Sequence, residues 1–222
     1  MFPLSDGFKS SKFPFMTWLL IAINAVVFIY EIMTPDIDSF INHYALVPSH
    51  VDFTNYITLI PFVTAIFLHG GFLHILSNMW FLFIFGDNVE EAFSPGGYLL
   101  LFLISGILGN LLQYAIMPHS SIPVLGASGA IAGVLGAYYK LYPYARIKTL
   151  IFVFFFVTIL DLNAPLVLGY WFILQLISGA GSLTQTSANQ GGIAFFAHIA
   201  GFIVGLLAAK MIHQRVTIIE PE

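Results

Sequence analysis

Two kinds of residue are missing or scarce in this 222-residue chain. It contains no cysteine, and charged residues make up only 8% of it, whereas 59% of it is hydrophobic and its mean hydropathy is +0.91. Without cysteine, neither a disulfide nor a thiolate metal site can form. A soluble core of this size cannot bury so much apolar surface, so the composition predicts a polytopic protein of the lipid bilayer. The net charge of −4 gives no indication of a nucleic-acid partner.

The apolar runs predict an all-α membrane protein, a bundle of six membrane-spanning helices in one domain over residues 1–222. Each run is close to the length that a bilayer requires. Short tails are expected at 1–15 and 213–222. The expected spans are 16–30, 71–86, 97–117, 128–142, 164–178 and 193–212.

The basic residues set the expected topology. With six spans and a cytoplasmic N-terminus, every lysine and arginine falls on the cytoplasmic side, as such residues do in membrane proteins. Both termini are then cytoplasmic, in a plasma or inner membrane. A seventh span at 149–160 would place two basic residues outside, so this segment is predicted to be interfacial or re-entrant. The basic residues are Lys9, Lys12, Lys140, Arg146, Lys148, Lys210 and Arg215.

One serine stands at the expected start of the fourth span, in the turn Gly126-Ala127-Ser128-Gly129. Packing alone does not require a hydroxyl in an apolar setting, where its desolvation is costly. Glycine on either side lets the backbone bend and lets another group approach the hydroxyl. The alternative is that Ser128 caps the helix or is a small packing residue.

Two further polar groups lie near the start of the second span. His74 and Asn78 are four residues apart and share a helix face, and His69 precedes them. Polar groups inside an apolar helix are costly unless they have a partner or a function. A metal site is the alternative, but no His-Glu-x-x-His motif or neighbouring carboxylate supports it, and no metal is predicted.

His198 lies within the last apolar helix, where an unpaired imidazole would be unfavourable. Small residues recur every four positions beside it, at Ala197, Gly201 and Gly205. A similar stripe, which includes Gly129, follows Ser128. If the two stripes face each other, the helices approach closely and Ser128 and His198 lie at similar depth.

These three motifs, in this order, resemble the rhomboid family of intramembrane serine proteases. The resemblance covers about residues 16–212 and implies a serine endopeptidase without a cofactor, which cleaves single-span membrane proteins near the outer membrane face. It implies that Ser128 is the nucleophile and His198 the base. The oxyanion would be met by His74, Asn78 and the Ser128 amide. Supporting roles would fall to Gly126, Gly129, Gly201 and His69, and a structural role to Glu90.

Two features of the sequence bear on this assignment. Some members of the family carry an aromatic residue one turn after the serine that stacks on the base, whereas this chain has Ala132 there. No carboxylate lies near His198, which favours a Ser-His dyad over a triad. The glycine-containing loop 179–192 is predicted to be a movable flap over the site. The alternatives are a catalytically inactive rhomboid-like binding protein and a small polytopic transporter.

Overall fold

The computed structural model describes residues 1–8, 10–153, 156–182 and 194–212, which are mostly helical. In this part of the chain, four helices are long and apolar enough to cross a membrane. They are α1 (Phe15–Met33), α4 (Phe72–Ile116), α6 (Ala164–Ser182) and α7 (Phe195–Ile212). The shorter helices are α2 (Ile37–Tyr44), α3 (Pro61–Thr64) and α5 (Ser128–Leu141).

The 45-residue α4 is divided at Ser94, whose φ of 63° and ψ of 158° are not helical, and Pro95 follows. A straight helix of this length would measure about 68 Å, roughly twice the apolar thickness of a bilayer. Instead the two halves fold back on each other, since a Cβ at Gly86 would lie 2.7 Å from the Tyr98 hydroxyl. The prediction that the second span ends at 86–90 is wrong, because the helix continues through Glu90 to this break.

Glu90 fixes the start of α1. Its carboxylate accepts hydrogen bonds from the Met16 N–H at 2.9 Å, the Thr17 N–H at 2.7 Å and the Thr17 hydroxyl at 2.8 Å. The first N–H groups of a helix have no partner within the helix, and Pro14 at the N-cap offers no side-chain acceptor. Glu90 therefore caps α1 from a neighbouring helix, which is a structural role.

The chain is not all-α, because it contains a three-stranded antiparallel sheet in the order β1-β2-β3. The strands are β1 (Phe2–Asp6), β2 (Arg146–Val153) and β3 (Phe156–Asn163). Residues 149–153 and 156–160 therefore lie in paired antiparallel strands and do not form a further span. Along β2, Ile147 and Thr149 are buried while Arg146 and Lys148 are exposed, which is the period-two alternation of a strand with one face on the core.

Strand β1 lies along the first half of α4, so the expected N-terminal tail is partly folded. The Trp80 Nε1–H donates to the Pro3 carbonyl at 2.8 Å, and the Asn88 Nδ2 donates to the Asp6 carboxylate at 2.7 Å. The Tyr138 hydroxyl donates to the same carboxylate oxygen at 2.9 Å. These three bonds tie the sheet to α4 and α5.

The core of the molecule is the contact between α5 and α7, which run parallel. Between Gly129 and Tyr138 every residue of α5 is buried. A Cβ at Gly201 would overlap the carbonyl oxygen of Gly129, and a Cβ at Gly205 would overlap that of Gly133. The two small-residue stripes thus face each other, and their glycines allow the backbones to touch.

The basic residues and the predicted reactive groups lie at opposite ends of the bundle. The Tyr142 hydroxyl donates to the Asn88 carbonyl at 2.9 Å, which puts the end of α5 beside the sheet and the start of α1. This end, called the sheet end below, carries the basic residues of the described chain. Ser128 and the start of α7 lie at the other end. The basic residues are Lys12, Lys140, Arg146, Lys148 and Lys210.

Candidate active site

Ser128 is the first residue of α5, and the turn before it depends on glycine. Gly126 has φ +128°, and a Cβ there would lie 2.8 Å from His74 Nε2 and 3.6 Å from Ser128 Oγ. The Gly126 N–H donates to the Ala65 carbonyl at 2.9 Å, which anchors the turn to the loop before α4. A side chain at 126 would be strained and would fill the space between His74 and Ser128.

The predicted pair Ser128 and His198 meet in the structure. Ser128 Oγ lies 2.6 Å from His198 Nε2, although the residues are 70 positions apart and belong to α5 and α7. His198 is in the first turn of α7 and is 8% exposed. The contact follows from the glycine packing of the two parallel helices, which brings their first turns to the same depth. Such a contact can lower the cost of removing the hydroxyl proton.

His74 and Asn78 line the same space from α4, as their spacing predicted. His74 Nδ1 accepts a hydrogen bond from the Gly70 N–H at 3.4 Å, so a neutral His74 carries its proton on Nε2, which faces Gly126. Asn78 Nδ2 is buried and has no hydrogen-bond partner among the described residues. Both side chains therefore hold a donor that a negatively charged oxygen could use.

His69 lies behind these groups and does not line the cavity. Its side chain is fully buried, and its ring centroid is 5.2 Å from that of His74. Its backbone N–H donates to the Glu31 carboxylate at 3.1 Å. Burial lowers the pKa of His69 to about 4, so the ring is neutral at pH 7. It supports the loop and His74 by packing.

The cavity at this end has a volume of about 550 Å³. Beyond Ser128 and the other polar groups, its walls are mainly apolar, which suits a hydrophobic peptide segment. No group of three or more His, Asp or Glu side chains that could hold a metal ion occurs in the described ranges. The apolar lining residues are Phe81, Pro123, Leu125, Ile131, Leu135, Trp171 and Ala194.

The sequence did not indicate two groups that contact His198, and both belong to α6. Gln175 Oε1 lies 2.8 Å from His198 Nδ1, and the Trp171 ring centroid is 5.8 Å from the imidazole centroid. The one available signal was a glutamine inside an apolar span, which needs a polar partner. Ala132 makes no such contact and is buried where α7 approaches.

The predicted flap at 179–192 lies mostly outside the described residues. Its first four residues, 179–182, form the end of α6.

The family model described as Rhomboid domain matches residues 57–215. Rhomboid protein 1, mitochondrial, from Saccharomyces cerevisiae is 30% identical over 207 residues, which are 90% of this chain and 54% of that protein. Putative rhomboid protease YdcA of Bacillus subtilis is 41% identical over 76 residues, which are 34% of this chain and 38% of that protein.

A third relative is rhomboid protease GluP of Bacillus subtilis, which is 40% identical over 75 residues, or 34% of this chain and 14% of that protein. The chain thus spans about half the length of the yeast relative and less of the other two. The family model, by contrast, covers most of the chain and includes every polar residue of the cavity. Together with the apolar helices, these matches show that the chain is an integral membrane protein that belongs to the rhomboid family.

Proposed function

We propose that this chain is an intramembrane serine protease that hydrolyses peptide bonds of membrane-protein substrates with a Ser128–His198 dyad. One observation carries the proposal, the 2.6 Å contact between Ser128 Oγ and His198 Nε2. The two residues come from separate helices and face a cavity that also holds unused hydrogen-bond donors. A packing serine has no need of this combination, whereas acyl transfer requires all of it.

The first chemical step uses the dyad. His198 Nε2 accepts the hydroxyl proton while Ser128 Oγ attacks the carbonyl carbon of the scissile peptide bond. The imidazolium then gives its proton to the departing amine, which leaves an acyl-enzyme on Ser128. Water then attacks this ester while His198 takes its proton. That proton passes to Ser128 Oγ as its bond to the acyl group breaks, which releases the second product and restores the dyad.

The negative oxygen of the tetrahedral intermediate needs fixed donors. His74 Nε2 and Asn78 Nδ2 supply two, and the Ser128 amide at the start of α5 supplies a third, because the first N–H groups of a helix have no internal acceptor. The polarity of the helix start adds to this effect. A neutral His74 is well suited because its Nδ1 already accepts from the Gly70 N–H.

The membrane arrangement belongs to the same proposal. Because α4 is divided at Ser94, it counts as two spans. Together with α1, α5, α6 and α7 it gives six spans in one rhomboid-like domain over 1–222. The described basic residues share the sheet end, which supports a cytoplasmic position for that end and for both termini. The site then opens toward the outer face of a plasma or inner membrane. Its substrates would be single-span proteins cut beside small side chains.

A set of four variants tests the chemistry. Ser128→Ala, His198→Ala and the double variant should lose nearly the same activity, because removal of either partner disables the nucleophile. Asn78→Ala should lose about 10²–10³-fold in rate, since two oxyanion donors remain. The measurement is cleavage of a model single-span substrate in liposomes, together with labelling of Ser128 by a fluorophosphonate probe and a folding check for every variant.

A packing role for these residues predicts a different pattern. Ser128→Ala would then be tolerated, His198→Ala would lose stability, and the two effects would add. A well-folded Ser128→Ala protein that still cleaves the substrate would refute the protease assignment. In that case a binding protein or a transporter becomes the better explanation of the cavity.

A further inference from the structure

Helix α6 holds the imidazole of His198 on two sides. Gln175 Oε1 lies 2.8 Å from Nδ1, and one turn earlier the Trp171 ring contacts the imidazole at a centroid distance of 5.8 Å and an interplanar angle of 35°. Leu168, a further turn back, is buried, so this face of α6 is the one turned to the protein. The aromatic contact that position 132 cannot make therefore comes from a different helix.

The hydrogen bond to Gln175 bears directly on the chemistry. For the Ser128 hydroxyl to donate to His198, Nε2 must be free of a proton, and a neutral imidazole then carries its proton on Nδ1. A buried Nδ1–H without an acceptor would be unfavourable. The Gln175 Oε1 accepts from it, which holds the ring in the tautomer and the rotation that the proton transfer needs.

We propose that Gln175 is the positioning residue of His198, acting through an Nδ1–H···Oε1 hydrogen bond in place of a triad carboxylate. This inference rests on the proposed function. The same bond stabilises the imidazolium after His198 takes the Ser128 proton, since Nδ1–H then becomes a charged donor. Trp171 limits tilting of the ring about that bond.

Removal of the acceptor provides the first test. Gln175→Met keeps the length of the side chain but has no amide oxygen, so kcat should fall about 10- to 100-fold with little change in KM, the loss expected for one hydrogen bond to a charged group. Gln175→Glu retains an oxygen that accepts from Nδ1–H and should recover most of the loss. Leu174→Met is the matched control, because Leu174 is exposed on the same helix.

The ring nitrogens give a readout that a purely structural role would not change. In a ¹⁵N-histidine spectrum, with the His198 signals identified from His198→Ala, wild type should show Nδ1 protonated and Nε2 bare. Gln175→Met should shift the population toward the other tautomer. The same variant should also slow fluorophosphonate labelling of Ser128, because that reaction needs the base but no substrate segment.

Three results would overturn the inference: wild-type kcat in Gln175→Met, a Gln175→Glu protein no better than Gln175→Met, or an unchanged tautomer population. These are separable from failure of the proposed function, which is seen as substrate cleavage by Ser128→Ala. If Ser128→Ala is inactive and Gln175→Met is fully active, the dyad stands and only the role of Gln175 is rejected.

Discussion

A close approach of the α5 and α7 backbones beside the dyad makes Gly201→Ala an informative substitution. A Cβ at Gly201 would overlap the carbonyl oxygen of Gly129 and would lie 3.3 Å from the Ala132 Cβ. Since the obstacle is backbone, α5 and α7 must separate by roughly 1 Å to restore ordinary contact. Gly129 follows Ser128 directly and Gly201 is three residues after His198, so the displacement acts at the dyad.

The magnitude follows from the geometry. The Ser128 Oγ to His198 Nε2 distance is 2.6 Å, and about 1 Å more takes it beyond hydrogen-bond range. A displacement of that size at a reacting pair costs on the order of 10²-fold in rate. Overpacking of the helix contact should also lower the free energy of unfolding by about 1–3 kcal/mol. Both quantities are measurable on one preparation, by cleavage of a liposome-embedded substrate and by thermal unfolding.

Two glycines separate the effect on activity from the effect on stability. Gly136 lies two turns after Ser128, and a Cβ there would overlap the Phe202 carbonyl oxygen, so Gly136→Ala should lose similar stability but less activity. Gly96→Ala, where a Cβ has open space, should change neither. A stable Gly201→Ala protein with wild-type activity would refute the idea that this contact sets the distance within the dyad.

Two other predictions concern the sheet end. Cysteines placed at Ser11 and Tyr144 should react with a membrane-impermeant reagent only from the cytoplasmic side, and labelling from outside would contradict the six-span topology. Burial raises the pKa of Asp6 from 3.8 to about 7, so its contribution to stability is present below pH 4 and is lost as the pH rises through 7. Wild type should therefore lose stability between about pH 4 and about pH 7, and Asp6→Asn should lose less. Equal losses in the two proteins would contradict this role of Asp6.

The features that could be predicted from the sequence are those whose physical signal is local. Apolar runs of about 15 residues or more favour helices in a bilayer. The long helices therefore begin and end within a few residues of the predicted bounds, apart from the end of the second span. The start of α5 at Ser128 could be predicted because the flanking glycines and the apolar run that follows are both visible in the sequence. His198 could be singled out as a candidate site residue because an imidazole in an apolar helix requires a polar partner.

The features that the sequence did not predict depend on partners that are distant in the chain. Nothing near Phe2–Asp6 indicates that it pairs with β2, more than a hundred residues later. The apolar segment 149–160 has the composition of a membrane-associated piece, and its β-branched and aromatic residues suit a strand equally well. Gln175 was visible as a polar residue in a span, but only the packing of α6 on α7 shows that its partner is His198.

The pairing of β1 with β2 has a consequence for the order of events during synthesis. Asp6 leaves the ribosome long before Ile147, its partner in the sheet, and at about 5–20 residues per second the delay is roughly 7–28 s. In that interval β1 has no neighbouring strand. Trp80 and Asn88 are made before β2, however, and they bind the Pro3 carbonyl and the Asp6 side chain. Helix α4 can therefore hold β1 in place as a template, so that the later hairpin adds to a strand that is already aligned.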